Sequence, residues 1–88
     1  MAHILAGLRR VKAEEIKEVL KADAARHAEQ GLYLEHLWQN VDDPEEVLFL
    51  FRTDDLRGAR QFVETVHAHA LTEDPRISIP QMTFLEEK

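Results

Sequence analysis

The chain has 88 residues, enough for one domain spanning 1–88 and no second core. Its 44% apolar and 32% charged residues exclude a disordered or collagen-like chain, and no apolar run approaches the ~18 residues a membrane-spanning helix needs. The net charge of −6 comes from 11 Lys and Arg against 17 Asp and Glu, with no basic stripe beyond Arg9, Arg10 and Lys12, so nucleic acid is not an expected partner. The absence of cysteine removes disulfides, thiolate metal sites and thiol nucleophiles, and it fits a reducing cytoplasm. The N-terminus also lacks a signal peptide's charged-then-apolar layout.

The first element is a strand from His3 to Arg9, apolar through Ile4, Leu5, Ala6 and Leu8. Helical period follows from Lys12 to Gln30, where Ala13, Ile16, Val19, Leu20 and Ala24 recur at three and four and Gly31 offers a left-handed end. A second strand, Leu32 to Asn40, alternates Leu32, Leu34, His36 and Trp38 with Tyr33, Glu35, Leu37 and Gln39. Asp42, Asp43, Pro44 and Glu45 suit a solvated hairpin turn into the apolar run Val47 to Phe51. A second helix, Asp55 to Leu71, carries Leu56, Ala59, Val63, Val66 and Ala70 on one stripe, with Thr53, Asp54 or Asp55 as its cap. After a loop bounded by Pro75 and Pro80 comes a last strand, Met82 to Leu85.

The order βαββαβ predicts an α+β, ferredoxin-like fold: a four-stranded antiparallel sheet with two helices on one face, strands one and three central. An antiparallel sheet with one wet face should alternate apolar and polar residues, yet both central strands are apolar at successive positions. Two helices cover one face only. The other would present Phe, Leu and Ile over roughly 400 Å² or more, which exceeds what a monomer normally exposes and predicts a two-fold homodimer. A domain this short buries only about 60–65% of its unfolded surface, which points the same way. The loop from Thr72 to Gln81, with Ile77 and Ile79 between prolines, suits a lid or a dimer arm.

The segment from Gln39 to Phe51, followed by Asp54-Asp55-Leu56 and Ala59-Arg60-Gln61-Phe62, resembles the dimeric α/β-barrel superfamily, near small proteins of the antibiotic-biosynthesis-monooxygenase type. The resemblance implies a ligand pocket between sheet and helices or within the barrel. Its activities range from cofactor-independent monooxygenation and isomerisation to haem degradation and none known. The haem-degrading pattern is met only in part: His67 and His69 lie late in the second helix, but Thr53-Asp54 stands where a Trp is expected and strand one has no Asn.

Five histidines are the unusual chemical resource, because an imidazole titrates closest to neutrality and can act as a general base. His36 shares its strand with Trp38, an aromatic plate, and His67 flanks the apolar stripe of the second helix beside Arg60. These two are the candidate catalytic residues. His3, on the strand face of Leu5 and Gly7, and the aromatics Trp38, Phe49, Phe51 and Phe84 are candidate ligand-binding groups, Gly7 leaving a gap where a ligand could approach. His27 stands four residues after Asp23 within the apolar stripe, a spacing that suits a helix-end hydrogen bond more simply than a catalytic pair. No cofactor or metal is implied: His67 and His69 diverge by roughly 200° on a helix. The expected ligand is small and hydrophobic, apolar rather than strongly anionic. The alternative is a non-catalytic dimer in which these aromatics pack the interface.

Overall fold

The computed structural model describes all 88 residues, as seven elements: β1 (Ala2–Leu8), α1 (Ala13–Ala22), α2 (Ala24–Glu29), β2 (Leu32–Gln39), β3 (Val47–Thr53), α3 (Leu56–Glu73) and β4 (Gln81–Glu86). The sheet order is β2-β3-β1-β4 and every neighbouring pair is antiparallel, so the ferredoxin-like arrangement holds with β1 and β3 in the centre.

The expected first helix is divided. Asp23, at φ −94° and ψ 2°, leaves helical geometry between α1 and α2. Its short polar side chain competes for backbone groups and is a poor helix former, so the apolar stripe is re-aimed at this point. Glu14 and Glu15 sit in the first turn of α1, where the dipole favours them. Gly31 closes α2 at φ +73°, the left-handed position foreseen for it, and its N–H donates to the Ala28 carbonyl at 3.0 Å.

Of the three possible caps for α3, Asp55 fills the role: its Oδ1 accepts from the Gly58 N–H at 3.1 Å. A Cβ at position 58 would lie 2.5 Å from the same carboxylate, so glycine there is what admits the cap. Thr53 is instead the buried last residue of β3, and its hydroxyl accepts from the Asp55 N–H at 3.1 Å. The acidic hairpin is a pair of side-chain-to-backbone turns: Asn40 Oδ1 accepts from the Asp42 N–H and Asp43 Oδ1 from the Glu45 N–H. Glu46 then accepts from Asn40 Nδ2 at 2.6 Å and from Arg9 Nε at 3.1 Å, and those bonds hold its carboxyl below the usual range.

Register settles which residues share a face. On the helix side, Leu34, Phe51, Ile4 and Phe84 form one row across the sheet, and Leu37, Phe49, Ala6 and Met82 form the next. Ile4, Ala6, Val47, Phe49 and Phe51 are buried there with Leu20, Leu32 and Ala59 as the core. On the open side the rows run Tyr33, Arg52, His3, Leu85; then His36, Leu50, Leu5, Thr83; then Trp38, Leu48, Gly7, Gln81.

Two corrections follow. Glu35 sits in a bulge of β2, so Leu34 and His36 lie on opposite faces despite their even spacing. The phenylalanines of β3 face the helices, and the surplus on the open face is leucine and Trp38 rather than Phe and Ile.

Candidate functional site

Two spaces adjoin on the helix side. The inner one, about 200 Å³, lies between the sheet and α1, α2 and α3. Ile16, Leu20, Phe49, Phe51, Phe62, Val63 and Met82 make it apolar, and His27 and His67 supply its imidazoles. The outer one is a groove of about 510 Å³ at the β2 edge, between α1–α2 and the strand residues Leu32, Leu34 and Phe51. Leu20, His27, Leu32 and Phe51 border both, so they form the wall between them.

His27 is the central member of that wall. Its ring meets Phe51 edge-on, with centroids 5.2 Å apart at 78°, and Phe62 at 6.4 Å and 77°. The Asp23 carbonyl accepts from the His27 backbone N–H at 2.9 Å, but its carboxylate makes no hydrogen bond to the ring and lies 3.7 Å from Arg26. Desolvation among these rings lowers the His27 pKa from 6.5; Asp23 opposes that shift and Arg26 adds to it. His67, half-buried on α3, is lowered by desolvation alone. Both are therefore neutral imidazoles at pH 7, in the form that accepts a proton.

The unfolded chain protonates these histidines at a higher pH than the folded one does. The stability they contribute is complete above about pH 6.5 and is lost as the pH falls from there through the lowered folded values. The melting temperature should accordingly drop between about pH 7.5 and about pH 5. The double variant His27→Gln, His67→Gln should flatten the histidine part of that slope in thermal melts; a slope unchanged in the variant would contradict this origin.

The sequence candidates divide between the two faces. His67, Phe49 and Phe51 border the inner cavity. Phe84 faces the helices too, but its ring is covered by the Arg60 guanidinium at 4.4 Å and packs against the core. His36, His3 and Trp38 lie on the open face. His36 stacks on Trp38 with centroids 5.0 Å apart and 16° between planes.

His3 Nε2 donates to Glu35 Oε1 at 3.0 Å, and Arg52 links Glu35 to Asp54 while lying 4.6 Å over Tyr33. This end of the face is thus a polar cluster. Gly7 does leave a gap: a Cβ there would meet only Leu48, at 4.0 Å. It opens into a shallow hollow of about 580 Å³ that also takes in Arg10 and Ile79. No three His, Asp or Glu side chains gather as metal ligands would, and no helix is long and apolar enough to cross a membrane. The residue undervalued by sequence is His27, whose signal was its place within the apolar stripe.

The order, sheet and antiparallel register together define the class as an α+β protein of ferredoxin-like fold. A solved structure from Deinococcus radiodurans, provisionally described as an antibiotic biosynthesis monooxygenase, matches with a TM-score of 0.63 at 18% identity, over 100% of this chain and 93% of that one. At that identity the likeness establishes the shared fold. No protein-family model and no curated protein matches the chain.

Proposed function

We propose that the protein binds a small hydrophobic compound between sheet and helices and takes a proton from it with the neutral imidazole of His67 or His27. That step is common to a cofactor-independent monooxygenase and an isomerase. In an isomerase the proton returns at another carbon. In an oxygenase the carbanion of a CH2 group adds dioxygen to give a peroxide, and loss of the carbon's second hydrogen with O–O cleavage leaves C=O in the product and the other oxygen in water, the methylene supplying all four electrons. The observation that carries the reading is the pairing of two half-buried, proton-accepting histidines on one apolar cavity. The solved neighbour's description is consistent with it.

Deuterium uptake at the acidic C–H of 2-tetralone, a small apolar ketone, tests this by mass spectrometry. Exchange should exceed that given by an equal concentration of free imidazole by about tenfold or more. It should fall as the pH drops below 6.5 and the imidazoles take up protons, and His67→Gln with His27→Gln should remove the excess. Exchange no faster than with imidazole sinks the reading.

The proposal includes a second copy of the chain on the open face, whose middle rows hold Leu5, Leu48, Leu50 and Trp38. A non-catalytic dimer is the second reading, favoured by that same apolar face. It no longer draws on Phe49, Phe51 and Phe84, which point toward the helices.

A further inference from the structure

The outer groove has a feature that a site for neutral compounds does not need. Lys17 and Lys21, one helical turn apart on α1, stand at its rim, and neither takes part in an ion pair. In a chain of net charge −6, no acidic side chain borders this groove: apart from His27 and Tyr33 its other walls are apolar, Leu32 and Leu34 among them. The nearby Asp23 belongs to the inner cavity's border and is paired with Arg26. Leu34 remains 44% exposed at the free β2 edge, as apolar surface in want of a cover.

Two unpaired cations over an apolar trough complement an amphipathic organic anion: an apolar body shielding Leu34 and Leu32, and one charged oxygen group held by the lysines. We infer that the ligand class of this protein is a small apolar monocarboxylic acid, its carboxylate at Lys17 and Lys21 and its apolar body running along the groove toward His27. This rests on the proposed hydrophobic-compound site and adds its polar anchor. The head-to-tail placement also sets which part of the ligand meets chemistry: the end remote from the carboxylate reaches the imidazole that divides groove from cavity. A single carboxylate is consistent with the size of the groove and with the acidity of the rest of the chain, which disfavours polyanions.

Calorimetric titration of the whole protein with decanoate and with decan-1-ol, both below micelle formation, tests the anchor. Decanoate should bind about five- to tenfold more tightly, the range expected for a carboxylate meeting partly exposed lysines. In the double variant Lys17→Gln, Lys21→Gln, decanoate should fall to within about twofold of decan-1-ol, whose own affinity is unchanged. Leu34→Glu, at an exposed position that spares the core, should weaken both ligands. Equal affinity for acid and alcohol, or a lysine variant that binds decanoate as before, overturns the anchor and leaves the hydrophobic site standing. Binding of neither ligand overturns both, and full binding to Leu34→Glu overturns the groove as the location.

Discussion

Leu50→Asp is expected to yield a folded monomer, and the unaltered chain is expected to sediment as the proposed dimer at micromolar concentration. Leu50 is on the open face of a central strand, flanked across the sheet by His36 and Leu5, while its chain neighbours Phe49 and Phe51 fill the core. An aspartate there projects away from the core, so the fold should survive. In a dimer that stacks the two open faces, each copy would bury a carboxylate whose row across the sheet holds no Lys or Arg. Burying an unpaired charge costs about 3–5 kcal/mol per site, and the two-fold axis doubles it. That is enough to dissociate an ordinary interface.

A standard interface covers about 800 Å² per partner, and the strand face alone supplies roughly half of that. The remainder has to come from its margins, where Ile79 borders the open-face hollow and Ile77 stays 44% exposed beside it in the Pro75–Pro80 loop. Sedimentation velocity on both proteins, with circular dichroism to confirm the fold, decides the matter. A monomeric unaltered chain, or a dimeric Leu50→Asp, would remove the open face as an interface.

Most of the architecture could be read from the chain because its cues were local and mutually consistent. The apolar run Val47 to Phe51 marked a central strand, and Gly31 marked a helix end at φ +73°. Failures came where one residue changed the phase of a pattern. At Glu35 a bulge displaced the alternation by one, which sent His36 and Trp38 to the open face and left Leu34 with the helices. At Asp23 a departure from helical geometry split a stripe whose residues looked continuous.

The site shows the same division. His67 borders the inner cavity on the flank of an apolar stripe that spacing makes legible, because the period of α3 is unbroken over 18 residues. His27 was underrated because its spacing to Asp23 suggested a local bond, whereas Arg26 takes that carboxylate and the ring turns to Phe51. Contacts between helix and sheet, such as Phe84 beneath Arg60, have no counterpart in spacing at all.

Phe51→Ala should be the most damaging single change to the fold and to the site together. Phe51 is 5% exposed, sits between Ile4 and Leu34 on the helix side, and touches Phe49 edge-on at 5.7 Å as well as His27 at 5.2 Å. Removing a buried phenyl ring costs about 3–5 kcal/mol in lost burial and in the cavity left behind. A domain of this size has a total of about 4–13 kcal/mol, so the variant stands near the edge of folding. Urea titration should show a lower midpoint with an unchanged slope if the native state keeps its compactness.

Phe51→Leu keeps most of the volume and should lose about 1–1.5 kcal/mol, which makes it the variant on which the site can be read. The ring is part of the desolvation that holds His27 below 6.5, and of the wall between groove and inner cavity. With leucine in its place the wall thins and water reaches the imidazole. An NMR titration should then find the His27 pKa moved up toward 6.5, with His67, which does not pair with Phe51, unmoved. A His27 value that stays low in Phe51→Leu would place its desolvation in Phe62 and the helices, and would free the groove and the cavity to act as separate spaces.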